Sequence, residues 1–265
     1  MPSYDRILEE AKPLLSATSS YERGLSKAVL GDLKGAESEF DAAINDHIPI
    51  ISKCYLQRGN IRYLQGNYEG AVKDYSQAIM LDPKDLAALY RKCTALGELG
   101  RDEEILNVLD RIIDLGPKDT LALWGKGNTL AQLGRYEDAL NAYDKAIELD
   151  PVDTVALYGK GNVLLQLGRY ENSLNVLDEA IELDPKYAAG WYAKSALLGS
   201  LGKYEGALTA IDKAIELDPK SAGAWSNKGY ALNGLGRYED ALNAYDKAIE
   251  LDPKCGRHGM AKVMH

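Results

Sequence analysis

The residue types that most catalytic and metal sites require are scarce in this chain of 265 residues. It has only three histidines and three cysteines, and no phosphate-binding loop, zinc-protease helix or nucleophile elbow occurs along it. The glycines within 125–128 resemble a phosphate loop only superficially, because they fall inside a predicted helix whose backbone amides are already bonded. The sequence therefore predicts a protein that is not an enzyme and that uses no cofactor.

The cysteines Cys54, Cys93 and Cys255 form no regularly spaced framework, so we interpret them as reduced thiols. An alternative for the last of them is a metal site shared with His258 and His265. Their irregular spacing in a glycine-containing tail favours a frayed chain end instead, and we predict no metal site.

Long apolar runs are also missing. No stretch approaches the length of a membrane-spanning helix, which needs about 20 predominantly apolar residues, and the first residues show neither the basic region nor the apolar core of a secretion signal. Acidic residues outnumber basic ones by 40 to 31, a formal net charge of -9, which disfavours nucleic acid or an anionic membrane as the main partner. We therefore expect a cytoplasmic protein that binds neither nucleic acid nor membrane.

Proline is infrequent but strictly placed. Six prolines follow one another at a constant interval, the distance from Pro83 to Pro117, and a seventh lies one interval upstream. They are Pro49, Pro83, Pro117, Pro151, Pro185, Pro219 and Pro253. A fixed interval of this length indicates a repeat protein, so the functional question moves from an active site to a binding surface.

Small and aromatic residues repeat in phase with the prolines. Most repeats carry a glycine near their middle, an aromatic residue two places later, and small residues at further fixed positions. In the fourth repeat these are Gly127, Gly134, Tyr136, Ala139 and Ala146. We predict seven repeats, preceded by a capping segment at 1–16 and followed by a short tail at 256–265. The repeats are 17–51, 52–85, 86–119, 120–153, 154–187, 188–221 and 222–255.

Local signals predict two helices in each repeat. In the fourth repeat, apolar residues recur at helical spacing after Asp119, whose side chain can cap a helix start. Gly134 ends this helix, since glycine readily takes the left-handed conformation found at helix ends. A second helix begins near Glu137 and ends before Pro151, because proline disfavours helical geometry in the residue that precedes it. Each repeat is therefore predicted to be a helix-turn-helix hairpin.

At these positions the chain resembles the tetratricopeptide repeats. The seventh repeat matches the family pattern almost in full with Trp225, Gly229, Gly236, Tyr238, Ala241, Tyr245, Ala248 and Pro253. The resemblance covers about residues 17–255. It implies an all-α fold, a right-handed α-solenoid superhelix of seven repeats with a concave groove lined by the first helix of each. It also implies a protein or peptide partner, because family members usually bind peptide segments of other proteins.

The positions that helical geometry turns toward this groove carry mostly amides and aromatic residues. A row of Asn and Gln can pair with the backbone of an extended peptide, and aromatic faces add apolar contact. Gly125 and Gly159 would let a ligand backbone approach closely. The alternative is that Trp124 and Tyr158 pack between helices while the amides only meet water. With the fourth and fifth repeats as the expected seat, the predicted peptide-binding residues are Asn60, Tyr90, Arg91, Trp124, Asn128, Gln132, Tyr158, Asn162, Gln166 and Tyr192.

Some family members bind the C-terminal carboxylate of chaperones through a clamp of Lys, Asn and Arg side chains. At the clamp positions the second repeat has Leu56 and Asn60, the third has Arg91, and the fourth has Leu121 and Gly125. The clamp is thus incomplete in every register, which argues against a chaperone-tail adaptor.

A basic residue occupies the seventh position of six successive repeats. The six are Arg58, Lys92, Lys126, Lys160, Lys194 and Lys228. We predict that their stems cover neighbouring helices while their charged ends reach carboxylates. The predicted acceptors include Asp144, Asp178, Asp212 and Asp246. The alternative is a basic stripe for an acidic partner, whose binding would be strongly salt-sensitive.

Small residues such as Gly127 and Ala139 permit close helix crossings. The third repeat departs from this pattern, since it has Ile105 and Ile112 at small-residue positions and Asp102 in place of the turn aromatic. Larger residues at close crossings push helices apart, so we predict a local change in spacing between the third and fourth repeats. The alternative is simple sequence drift with compensating repacking, which would leave the spacing uniform.

The two ends of the array differ. A partial capping helix is predicted before the first repeat, whereas the tail after Pro253 is too short and too rich in glycine to cover the seventh. This predicts self-association through the C-terminal repeat, or a chain cut from a longer protein. Two functions therefore compete: a non-enzymatic scaffold that binds an extended peptide of a partner, and a structural element that assembles through its ends.

Overall fold

The computed structural model describes residues 20–45 and 51–252, and in these ranges the chain is helical without strands. The helices are α1 (20–29), α2 (Leu33–Asn45), α3 (Ile51–Leu64), α4 (Tyr68–Leu81), α5 (Leu86–Glu98), α6 (Asp102–Leu115), α7 (Thr120–Gln132), α8 (Tyr136–Leu149), α9 (Thr154–Gln166), α10 (Tyr170–Leu183), α11 (Ala188–Ser200), α12 (Tyr204–Leu217), α13 (Ala222–Gly234) and α14 (Tyr238–Leu251). The all-α prediction is confirmed. The predicted capping segment and tail, with the alternative metal ligands, lie outside the described residues.

A glycine ends the first helix of each hairpin, as Gly134 illustrates. Its φ of 72° lies in the left-handed region, and the Arg135 N–H donates to the Leu130 carbonyl at 2.9 Å across the turn. This bond satisfies a carbonyl that the helix itself leaves unpaired. The equivalent glycines of the other hairpins also have positive φ values. The predicted helix end is therefore confirmed.

In the fourth and fifth repeats, an aspartate caps the start of the first helix. The Asp119 carboxylate accepts the Ala122 N–H at 3.0 Å, which confirms the predicted cap. Asp153 does the same for the N–H groups of Val155 and Ala156 at the start of α9. These helix starts and ends thus follow the local sequence signals.

The chain divides into two compact units, one up to Ala122 and one from Leu123. In the first, consecutive helices from α2 to α6 pack against one another, and in the second the same holds from α8 to α14. Where α9 crosses α10, the Ser173 hydroxyl donates to the Gly161 carbonyl at 2.7 Å. The helices therefore approach as closely as the small residues at these positions predict.

The third predicted repeat keeps its larger residues inside. Ile105 and Ile112 are buried, and α6 starts at Asp102, where most hairpins have an aromatic residue. The change in spacing expected after this repeat stays a prediction. Across the described helices, none has both the length and the apolar character needed to cross a bilayer.

Candidate functional site

Five of the ten predicted binding residues line one depression in the second compact unit. They are Asn128 and Gln132 from α7 and Tyr158, Asn162 and Gln166 from α9. The remaining lining includes Tyr136, Tyr143 and Gly159, and the depression has a volume of about 480 Å³. We call it the amide depression. Residues spaced by four in a helix lie on one face, so the two helices present their polar faces to the same space.

Tyr143 of α8 forms the floor of the amide depression. Its side chain is only 1% exposed, and its hydroxyl donates to Oδ1 of Asn128 at 2.6 Å. A Cβ added to Gly127 would lie 2.8 Å from the ring, and one added to Gly159 would lie 2.6 Å from it. Burial raises the pKa of the Tyr143 phenol, so it stays a neutral donor.

Gly159 packs against the Tyr143 ring. The ring fills the space where a Cβ would lie, while Gly159 also lines the depression, so close approach of a ligand at this glycine stays a prediction. Tyr143 is not among the predicted binding residues, because it lies on the second helix of a hairpin and the prediction was confined to first helices. The available signal was its position in the sequence, midway between Gly127 and Gly159.

Three carboxamides of the depression are not engaged by the described part of the protein. Gln132, Asn162 and Gln166 make no side-chain hydrogen bond with any other described residue. Tyr158 is half-buried and packs against the cluster of Leu177, Ala193 and Leu197. Its ring meets that of Tyr187 edge-on, with 5.6 Å between the centroids. Tyr158 thus packs between helices, as the alternative interpretation has it, and also lines the depression.

The other predicted residues lie elsewhere. Trp124 is half-buried and does not line the amide depression. Tyr192 lines a separate depression of about 330 Å³ beside Gly223. In the first compact unit, Arg91 is exposed and Tyr90 is half-buried.

Two polar groups of the first compact unit are held inside the protein. Asn60 accepts from the Tyr75 hydroxyl at 3.0 Å and donates to Gln57 at 3.2 Å. Burial, followed by the nearby Asp119 carboxylate, raises the pKa of Tyr90. The buried Tyr90 hydroxyl makes no hydrogen bond of normal geometry within the described residues.

The row of basic residues pairs with carboxylates of the preceding hairpin. Three of the four predicted acceptors each pair with a lysine of the row: Asp144 with Lys160 at 2.6 Å, Asp178 with Lys194 at 2.6 Å, and Asp212 with Lys228 at 2.8 Å. Arg58 contacts Asp41 at 2.5 Å and also Asp74 at 2.6 Å. The structural interpretation of the row is confirmed at these pairs. Asp246, the fourth predicted acceptor, has no ion pair with any described residue.

Models of known families match much of the chain. Tetratricopeptide repeat models match residues 52–85, 94–154, 125–188 and 222–255, and a TPR repeat model matches 197–236. The chain belongs to the tetratricopeptide repeat family. Repeats of this family support a role in protein–protein interaction, and the family and its fold are typically non-catalytic.

Solved tetratricopeptide proteins have a similar fold. One from Parabacteroides merdae has 22% identity and a TM-score of 0.77, over 95% of this chain and 100% of that one. MamA from Desulfovibrio magneticus has 26% identity and a TM-score of 0.56, over 65% and 97%. The human zinc finger CCCH domain-containing protein 7B is 35% identical over 68 residues, 24% of this chain and 7% of that protein. This chain therefore spans only a small part of that relative.

Proposed function

We propose that this tetratricopeptide protein is a non-enzymatic scaffold that binds an extended peptide of a partner protein in the amide depression. The observation that carries the proposal is the convergence of three carboxamides without hydrogen-bond partners among the described residues, Gln132, Asn162 and Gln166, around the Tyr158 ring. A carboxamide offers both a donor and an acceptor, which suits the alternating N–H and C=O groups of an extended backbone. The ring adds apolar contact with little loss of rotamer freedom.

The lining of the amide depression carries no charged residue. A charged ligand side chain would lose its hydration there without gaining an ion pair. We therefore infer that the bound segment is uncharged. The same feature argues against a chaperone-tail adaptor, because recognition of a carboxylate needs Lys or Arg at the site. A cytoplasmic location fits this function, and Cys54, a buried free thiol, suits a reducing compartment.

Selection from a random peptide library displayed on phage tests the proposal. Selected peptides are labelled with a fluorophore and titrated against the folded chain. The double substitution Asn128→Ala with Asn162→Ala should weaken binding about tenfold or more, since each hydrogen bond is worth roughly 0.5–1.5 kcal/mol. Selection that yields no specific peptide would contradict the proposal.

A matched control uses two exposed asparagines outside the depression. Asn141 lies on α8 and Asn175 on α10, and neither lines the amide depression. Asn141→Ala with Asn175→Ala should leave peptide affinity unchanged. An equal loss in both double variants would show that the peptide binds elsewhere.

A second function, self-association, is favoured by the face of α14 that carries Leu242 and Asp246. Leu242 is 50% exposed, whereas the equivalent Leu140 of α8 is 7% exposed. Asp246 has no ion pair among the described residues, whereas its equivalents in α8, α10 and α12 each pair with a lysine. We propose a second copy of the chain as the occupant, because an exposed leucine such as Leu242 is removed from water when it packs against another chain.

Sedimentation velocity from about 1 to about 100 µM measures this association. The unmodified chain should associate with rising concentration, and Leu242→Asp or Asp246→Lys should return it to the monomer. Asn141→Asp adds the same charge as Leu242→Asp on another helix and should not. The double alanine variant at Asn128 and Asn162 should associate normally, while a chain that is monomeric throughout would refute this second function.

A further inference from the structure

Tyr143 holds the Asn128 carboxamide in one orientation. The hydroxyl donates to Oδ1 of Asn128 at 2.6 Å, and the ring is wedged between the backbones of Gly127 and Gly159. A ring confined from two sides cannot swing away from its hydrogen bond. The oxygen of Asn128 is therefore engaged by the protein, and its NH₂ group is what remains for a ligand.

Asn162 has no such constraint. The residue of α10 equivalent to Tyr143 is Leu177, whose methyl carbon lies 2.8 Å from a Cβ built at Gly161. Leucine has no hydroxyl to donate, and the Asn162 side chain makes no hydrogen bond with other described residues. The next helix also has Ala193 where Tyr143 meets Gly159, which leaves less room for an aromatic ring. Asn162 can therefore turn either its oxygen or its NH₂ group outward.

The first compact unit shows the same contact with a different outcome. Tyr75 donates to Oδ1 of Asn60 at 3.0 Å, but the NH₂ group of Asn60 donates to Gln57 at 3.2 Å. Both ends of that carboxamide are used inside the protein. Of the three asparagines at this repeat position, Asn128 is the one that is both oriented and left with an available donor among the described residues.

We propose that Tyr143 is a positioning residue that makes Asn128 donate to a backbone carbonyl of the bound peptide, while Asn162 accepts or donates. The ligand in this statement rests on the proposed peptide-binding function. The orientation of Asn128 is a property of the free protein. The two parts are therefore tested separately.

Nitrogen-15 relaxation of the side-chain NH₂ groups in the ligand-free chain tests the orientation. In the unmodified protein, the Asn128 NH₂ group should be more ordered than that of Asn162. Tyr143→Phe keeps the ring and removes only the hydroxyl, so the Asn128 NH₂ group should become as mobile as that of Asn162. Equal mobility of the two asparagines in the unmodified protein would overturn the proposal, whether or not the variant folds.

Tyr245→Phe is the matched control. Tyr245 is equally buried, faces Gly229 in the same way, and belongs to a repeat with Tyr230 at the asparagine position. Removing the Tyr245 hydroxyl should leave the relaxation of the Asn128 NH₂ group unchanged. A change as large as that in Tyr143→Phe would mean that any lost buried hydroxyl loosens the repeats.

Binding of a phage-selected peptide tests the direction of the hydrogen bond. Tyr143→Phe should weaken affinity about threefold to tenfold, as expected for one misdirected hydrogen bond. Asn128→Asp should lose as much affinity as Asn128→Ala, because aspartate has no NH₂ donor, whereas Asn162→Asp should lose less than Asn162→Ala. Unchanged affinity in Asn128→Asp would overturn the proposal. If no peptide binds, the proposed function fails, and the relaxation data still decide the orientation.

Discussion

At the scale of single residues, glycines of the first helices face large side chains of the second helices. A Cβ built at such a glycine would lie 2.6 to 2.8 Å from its neighbour. The pairs are Gly24 with Phe40, Gly59 with Tyr75, Gly127 with Tyr143, Gly161 with Leu177, and Gly229 with Tyr245. Two helices can hold a bulky residue between them only where one of them contributes no side chain. The glycines are therefore required for the helices to pack at this distance.

Gly159→Ala should destabilise the fold, because the added Cβ would lie 2.6 Å from the confined Tyr143 ring. We expect a loss of about 1–3 kcal/mol in the free energy of unfolding, as for other overpacked cores, measured by urea denaturation. Gly97→Ala is the control, since its nearest neighbour would be the Ile105 methyl at 3.9 Å. Its stability should be equal or slightly higher, and equal stability of the two variants would contradict the packing argument.

The buried thiol of Cys54 and the half-buried thiol of Cys93 predict a loss of stability in alkali. Burial raises the pKa of Cys54 from 9.0 to about 11 and that of Cys93 from 9.0 to about 12. The thiols of the unfolded chain lose their protons at lower pH than those of the folded chain. Their contribution to the free energy of unfolding is therefore complete below pH 9 and is lost as pH rises through 11 to 12.

Thiol labelling measures the same effect directly. In a Cys255→Ser background, the folded chain should react with a thiol reagent about a hundredfold more slowly than the urea-unfolded chain. The labelling rate of the folded chain should keep rising with pH to about 11, whereas that of the unfolded chain should level off near the ordinary thiol pKa of 9.0. Fast labelling of the folded chain near neutral pH would show that these cysteines are accessible.

At the scale of helices, ion pairs join successive hairpins with unequal strength. The lysine–aspartate pairs are partly exposed to water; in one of them the Lys194 and Asp178 side chains are 25% and 40% exposed. Asp74 is 3% exposed and accepts from both Arg58 and Arg62. Exposed pairs contribute little because water screens them, whereas a buried carboxylate cannot be removed without leaving guanidinium groups unmatched.

Asp74→Ala should therefore cost about 3 kcal/mol of unfolding free energy, although Arg58 keeps its second partner Asp41. Asp178→Ala should cost less than about 1 kcal/mol. Urea denaturation of both variants at neutral pH measures the difference. Similar losses would mean that burial does not decide the strength of these junctions.

At the scale of the whole molecule, the charged residues lie outside the lining of the proposed binding site. The chain carries a net charge of -9, yet the amide depression has no charged lining residue. Three lysines of the basic row are engaged by aspartates, which weakens the alternative of a basic stripe for an acidic partner. Binding at the depression should therefore depend on hydrogen bonds and apolar contact.

Peptide affinity should change less than about twofold between roughly 50 and 500 mM NaCl, because screening acts on charges that the seat lacks. Fluorescence anisotropy with a phage-selected peptide measures this dependence. The Asn141→Ala and Asn175→Ala control should show the same flat profile. A steep loss of affinity with salt would favour the basic row as the binding surface.

The sequence was sufficient for features that depend on residues close together along the chain. Helix ends at Gly134 and Asp119 follow from local backbone preferences, and the shared faces of α7 and α9 follow from spacing by four. The constant interval between the prolines then places equivalent positions in phase, so five binding candidates could be grouped before any contact was known. The lysine–aspartate pairs were predictable for the same reason.

Only the tertiary structure decided which groups these residues meet. Tyr143 lies between glycines of two different first helices and orients Asn128, Arg58 takes Asp74 as a further partner, and Trp124 stays outside the depression. The sequence by itself determined the repeat, its helices and the faces that they present. It could not decide the contacts between those faces, because the periodic pattern is nearly the same in every repeat, while each contact depends on the side-chain volumes of the neighbouring helices.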